Sequence, residues 1–199
     1  MPRGVGIAIG VAAAIALVML VGIGKYNSFI GLQERVDEQW GNVENVYQRR
    51  ADLIPNLVET VKGYAAHEQE TLQAVIEARA KAAQVQAELT PESLNDPELL
   101  QRFQDTQGEL SQALGRLMVV LERYPDLKAN QNFLDLQAQL EGTENRIAVE
   151  RRRYNEVARD YNTSVRRFPG NVLAELFGFA KKAYFQAEAG VQTAPEVEF

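Results

Sequence analysis

Apolar and polar residues obey two different rules along this chain. From Val5 to Ile23 the run VGIAIGVAAAIALVMLVGI has 19 residues and no charge, whereas from Lys25 onward apolar residues recur every three or four positions among many charges. A helix of that length spans about 28 Å, close to the roughly 30 Å hydrocarbon core of a bilayer. The run therefore predicts a membrane anchor over residues 1–25. A secretory signal peptide would carry a shorter apolar core, about 7–15 residues, ahead of a small-x-small cleavage site. Gly22 and Gly24 offer small residues, but the run merges into the next helical pattern without a polar cleavage region, so an uncleaved anchor is the expectation.

The polar part predicts four long helical stretches. The first, over 26–54, carries a stripe at Tyr26, Phe29, Val36, Trp40, Val43, Tyr47 and Ile54, interrupted by Gln33 and Arg50. Alternating steps of three and four are the seam of a packed helix bundle. No turn signal separates the anchor from this stretch, so one helix can run through both. Pro55 is tolerated in the first turn of a helix, which places the start of an alanine-rich second stretch there, over 55–88. The segment LTPESLNDPE, 89–98, reads as an exposed loop. A third stretch, 98–122, shows Leu99, Phe103, Leu110, Leu114, Leu117 and Leu121 on one face and stops before Pro125. The fourth, 128–167, carries Phe133, Leu136, Leu140, Ile147, Tyr154, Tyr161 and Val165, and Pro169-Gly170 ends it.

These stretches predict an all-α protein: a transmembrane helix (1–25), an antiparallel four-helix bundle (26–170), and a short C-terminal helix with a tail (171–199). With the first helix ending at Ile54, up-down-up-down order sets Arg49 opposite Asn132–Leu136. The last helix, Asn171 to Phe185, has Phe177, Phe179, Tyr184 and Phe185 beside Lys181 and Lys182. Its plain expectation is to cap the bundle; a second protomer or the lipid interface are the other candidates.

Charge narrows the partners. The formal net charge is −6, and the first 24 residues hold only one of the cations, Arg3. A net acidic domain argues against nucleic acid, because no excess of cations is available to neutralise phosphates. The chain has no cysteine, which removes disulfide and thiolate chemistry. His67 is the lone histidine, and the position four residues later, where a zinc-protease helix needs a second, is Thr71. No phosphate-binding loop or nucleophile motif is present, so neither an enzyme nor a cofactor or metal site is expected.

Two constellations remain. In the anchor, Gly6, Gly10 and Ala14 form a small-residue face at four-residue spacing, which lets membrane helices approach closely and makes a homo-oligomer the expectation. In the polar part, Arg49, Arg50, Asp52 and Asn56 on the first two stretches, with Glu144, Asn145, Arg146, Tyr154 and Asn155 on the fourth, predict a polar network that sets register between long helices. The dipeptide Tyr-Asn occurs three times, at Tyr26-Asn27, Tyr154-Asn155 and Tyr161-Asn162.

The runs RRADLIPNLVETVKGYAAHE (49–68) and YPDLKANQNFLDLQAQLEGTENRIAVERRRYNEVARDYN (124–162), with the anchor, the Tyr26-Asn27 opening, Gly178-Phe179 and a final Phe199, resemble the LemA family of bacterial membrane proteins. The likeness covers nearly the whole chain. It implies a single-pass protein of the bacterial cytoplasmic membrane, with a helical bundle and no established enzymatic activity, in a family that includes a protein of the magnetosome membrane. The expected function is self-assembly that scaffolds or shapes membrane, with lipids and further copies as partners. The alternative is an accessory subunit of another membrane protein complex, one concerned with envelope proteolysis or stress. Arg3 on one flank of the anchor and Lys25 with Arg35 on the other leave its orientation open.

Overall fold

The computed structural model describes residues 3–186, with the side-chain surroundings of residue 3 and residues 5–8 excepted. Every regular element among the described residues is helical. The elements are α1 (Arg3–Lys62), α2 (Gln69–Glu88), a 3₁₀ turn (Pro91–Asn95), α3 (Pro97–Leu121), the single turn α4 (Pro125–Lys128), α5 (Gln131–Arg166) and α6 (Gly170–Phe177).

The anchor and the first bundle helix are one element, and the expected boundary at Pro55 is absent. Proline lacks an N–H, so inside a helix it leaves the carbonyl four residues earlier without its donor. Here that carbonyl belongs to Ala51, and Arg79 Nε of α2 donates to it at 2.7 Å. A neighbouring helix supplies the missing bond, and α1 continues to Lys62. Elsewhere helix ends follow local chemistry. The Asp96 carboxylate accepts from the N–H groups of Glu98 and Leu99 with Pro97 in the first turn, and Asn130 caps α5 through Phe133 N–H at 3.1 Å.

Side chains across the helices give the topology. Gln39 meets Glu150 and Arg50 meets Glu144, so α1 and α5 run antiparallel; Lys81 meets Glu109 and Arg102 meets Glu88, so α2 and α3 do as well. The register differs from the expected one. Arg50 lies opposite Glu144 rather than opposite the 132–136 level, because α1 extends past Ile54 to Lys62 and its far end pairs with the start of α5.

The core has two parts. Near the anchor, Phe29, Val36, Trp40, Val43, Tyr47, Phe103, Ile147, Tyr154, Tyr161 and Phe185 are buried together. Farther away, Ile54, Leu57, Val61, Leu72, Val75, Leu110, Leu117, Leu121, Leu127 and Leu140 form an aliphatic cluster. Arg50, itself buried, lies between them in sequence.

The C-terminal region departs from the expected single helix over 171–185. Helix α6 stops at Phe177, where Gly178 takes the left-handed conformation with φ 76°. The N–H of Gly178 donates to Glu175 O and that of Phe179 to Ala174 O, which is a Schellman stop that needs a residue without a Cβ penalty. Beyond it, residues 179–186 form a non-helical strap laid against the bundle.

Candidate functional site

Three features carry the chemistry of the molecule: the uncovered anchor, a buried arginine and the clamped strap. In the anchor part of α1, Ile9, Val11, Ile15, Leu17, Val18, Met19, Leu20, Val21 and Ile23 are all exposed. The helix contains a stretch long and apolar enough to cross a membrane, none of it covered by the rest of the protein. A Cβ added at Gly10 would meet no atom within 4 Å, and Ala14 is exposed too. The surroundings of Gly6 lie outside the described residues.

Arg50 is 2% exposed and bridges three helices. One terminal nitrogen donates to Glu144 Oε1 of α5 at 2.8 Å and to Ser111 Oγ of α3 at 2.9 Å. The other donates to the side-chain oxygen of Gln107, and the guanidinium lies over the Tyr47 ring, 5.2 Å from its centre. A carboxylate, a hydroxyl, an amide oxygen and an aromatic ring together fix the fork in one orientation, which long aliphatic seams alone do not do. Glu144 is about half open to solvent, so the pair carries less desolvation cost than two buried charges would. Of the other residues expected in this network, Arg49, Asp52, Asn56, Asn145 and Arg146 lie on exposed faces. Asp52 takes a hydrogen bond from Gln48 within α1, and the Asn56 carbonyl accepts from Thr60.

Tyr154 and Asn155 serve another purpose. Asn155 accepts from Phe185 N–H at 2.9 Å and donates to Phe185 O at 2.8 Å; Asn162 does the same with Lys182, at 2.9 and 2.8 Å. Each amide mimics a strand neighbour, satisfying both backbone groups of one strap residue. The spacing explains why two such pairs fit. Seven residues of helix rise about 10.5 Å, and three residues of extended chain cover about 10 Å. The tyrosines of the same dipeptides add a second row, Tyr154 donating to Ala183 O at 3.2 Å and Tyr161 to Ala180 O at 3.0 Å. Burial raises both phenol pKa values, that of Tyr161 to about 12, so both remain protonated donors at neutral pH. The first Tyr-Asn joins the same system by ring contact, since Tyr26 meets Phe177 and Phe179 edge-on at 5.2 and 5.7 Å.

The strap closes the aromatic part of the core. Phe185 stacks on Trp40 with 16° between the rings and meets Tyr154 edge-on, while the Arg151 guanidinium lies over its outer side. Lys182 is buried, donates to Pro91 O at 2.7 Å and stands 4.0 Å from Asp37 Oδ1. Burial raises the Asp37 carboxyl pKa and lowers that of Lys182, and each group's charge opposes the shift of the other. Ala183 N–H adds a bond to Leu94 O, tying strap to 3₁₀ turn. The segment 89–98, expected as an exposed loop, is therefore partly buried through Leu89 and Leu94.

Lys182, Asp37, Asn162, Gln107 and Ser111 were not among the expected network. Asn162 carried a signal, since the Tyr-Asn pairs at 154 and 161 are one heptad apart and share a helix face. Lys182 carried none, because a lysine beside aromatics reads as solvent-facing.

Comparison with known proteins agrees with this architecture. Magnetosome protein MamQ 2 of Paramagnetospirillum magneticum is 28% identical over 93% of this chain and 72% of its own length. Magnetosome protein MamQ of Magnetospirillum gryphiswaldense is 26% identical over 94% of this chain and 74% of its own. Protein LemA of Metamycoplasma hominis is 23% identical over 87% of this chain and 74% of its own. The likeness to the first two covers nearly all of this chain, and the relatives fit a membrane-associated protein with no enzymatic role shown. The LemA family pattern itself matches residues 39–199, from the aromatic core through the strap to the C-terminus, and the chain belongs to the LemA family.

Proposed function

We propose that this protein is a non-enzymatic, single-pass protein of the bacterial cytoplasmic membrane that self-assembles and scaffolds or shapes the bilayer. The observation that carries this reading is the continuity of α1, which runs 60 residues from the anchor to the far end of the bundle. Two anchors that pack side by side through Gly6, Gly10 and Ala14 also set their bundles side by side, because no joint lies between anchor and bundle to absorb a change of angle. Where each subunit meets its neighbour head to tail, through two different faces, repetition of the contact closes into a ring if the rotation closes and otherwise extends as a filament, and either imposes its curvature on the membrane. The relatives named as magnetosome proteins support a role within a membrane-bound structure.

The test is the mass of the gently solubilised full-length protein in native detergent, together with Gly10→Leu. Scaffolding requires a multimer that Gly10→Leu weakens while the helical content is unchanged. A monomer at concentrations well above cellular ones overturns self-assembly and leaves the accessory-subunit reading, with another membrane protein as the partner.

A further inference from the structure

Helix α6 is amphipathic in the wrong sense for a helix that only caps a bundle. It buries its small residues, Gly170 and Ala174, and turns its large ones outward. Val172 is 57% exposed and Leu176 72%, one turn apart on the outer face, with Phe177 beside them at 47% and Phe168, in the turn that precedes the helix, at 79%. Among the described residues of the bundle, Ile76, Val119 and Leu134 are exposed singly, on different helices. Lone exposed apolar residues are ordinary on any protein surface, whereas a contiguous patch marks an interaction site.

The position of the patch identifies what covers it. The Phe177 ring meets Tyr26, which is three residues, about 4.5 Å, beyond the end of the charge-free run at Ile23. That depth falls within the headgroup layer, roughly 5–7 Å thick on each side of the hydrocarbon, where aromatic rings concentrate. The other end of α6 is also close to the bilayer, since a Cβ at Gly170 would stand 3.2 Å from the ring of Phe29, one turn farther along α1. Arg166, Arg167 and Lys181 flank the helix and are exposed, and half-buried Lys25 lies on α1 just before Tyr26. These cations outnumber the one exposed carboxylate of the helix, Glu175, and stand around the patch at the membrane end of the bundle.

Given the reading that α1 crosses the membrane, we infer that α6 is an interfacial foot. Its Val172, Leu176 and Phe177 enter the acyl–headgroup boundary of the bilayer the anchor crosses, and Arg166, Arg167 and Lys181 pair with anionic headgroups. Apolar burial and headgroup attraction add in such a helix. The strap then acquires a purpose: by gripping residues 180–185, the Tyr-Asn clamps hold α6 from its C-terminal side while α5 holds it from the other, so the bundle meets the membrane at two points.

The natural absence of cysteine allows single spin labels to measure this in the full-length protein reconstituted into phosphatidylcholine vesicles with 30% phosphatidylglycerol. Labels go at Leu17→Cys in the anchor, Val172→Cys and Leu176→Cys in α6, and Val119→Cys at the far end of the bundle. The proposal expects labels at 172 and 176 to collide more with oxygen than with a water-soluble nickel chelate, as at 17, and label 119 to do the reverse. Joint reversal of Arg166, Arg167 and Lys181 to Glu should shift labels 172 and 176 toward the water-exposed ratio, with helical content unchanged. A lipid-exposed label 17 with water-exposed labels 172 and 176 overturns the foot and leaves the anchor standing. Protection of 172 and 176 from both reagents means a protein partner and also overturns it. A water-exposed label 17 overturns the spanning reading itself.

Discussion

The two halves of the core are built from different materials. The half near the anchor is rich in aromatics, with the rings of Phe103 and Tyr154 each meeting both Trp40 and Phe185; the far half is mostly leucine, valine and isoleucine, with Phe133 the one buried ring among its described residues. The far half is enclosed by helix against helix and relies on periodic side chains. The near half lacks that closure, because α2 ends at Glu88 and an extended strap fills the space. A strap has no internal hydrogen bonds, so its backbone must be satisfied by side chains, and this accounts for asparagines and tyrosines on a helix face that would otherwise be apolar. Arg50 stands where one construction passes into the other.

Removing the strap should break the comparison most strongly. A chain ending at Gly178 uncovers Trp40 and Tyr154, and hydrogen exchange in detergent should show amide protection lost in 29–47 and 147–165 well before 110–121. Uniform loss would mean that the two halves unfold as one unit. Next in size, Trp40→Ala should cost roughly 3–5 kcal/mol. It should also reduce the further effect of deleting the strap, because Phe185 then has no stacking partner; additive effects on the unfolding midpoint would refute that coupling.

Arg50→Ala should cost roughly 2–4 kcal/mol, since it leaves Gln107 and Ser111 without their cation, and exchange data should show both halves affected. The smaller clamp variants Asn155→Ala and Asn162→Ala should each cost about 1–3 kcal/mol by leaving two strap backbone groups unpaired, with losses confined to the near half.

The smallest effect sharpens the comparison through pH. Burial raises the Asp37 carboxyl above its ordinary 3.8, with Lys182 opposing the shift and Glu34 and Glu92 adding to it. The folded protein thus holds this proton more tightly than the unfolded chain, so Asp37 contributes stability that is present below the ordinary value and fades as pH rises through the raised one. The stability of the natural protein relative to Asp37→Asn should therefore rise as pH falls through that window. A pH-independent difference in unfolding midpoints would contradict it.

What the sequence disclosed follows from the range of the forces involved. The seam from Phe29 to Ile54, the stripe of α3 and the stops at Pro125 and Pro169 are local patterns, and all are legible. Arg50 was legible as well, for it interrupts the apolar seam, while Arg49, Asp52 and Asn56 lie off it and are exposed. The misplaced break at Pro55 is a non-local matter: a proline ends or kinks a helix unless something else serves the orphaned carbonyl, and Arg79 stands 28 residues beyond Ala51. The strap was hidden because its aromatic density imitates a helix, and only Gly178 announces the change of backbone.

The bond from Arg79 to Ala51 has a mechanical meaning. From Tyr26 to Lys62 the unbroken α1 rises about 55 Å, so the turn at 63–68 stands at a set height above the bilayer if the helix keeps the direction of its anchor. A kink at Pro55 would let that far end swing; the arginine stiffens the shaft at its weakest residue. Whatever meets the tip must do so at that reach, and any tilt of the anchor in the lipid is magnified there as the sideways displacement of a lever.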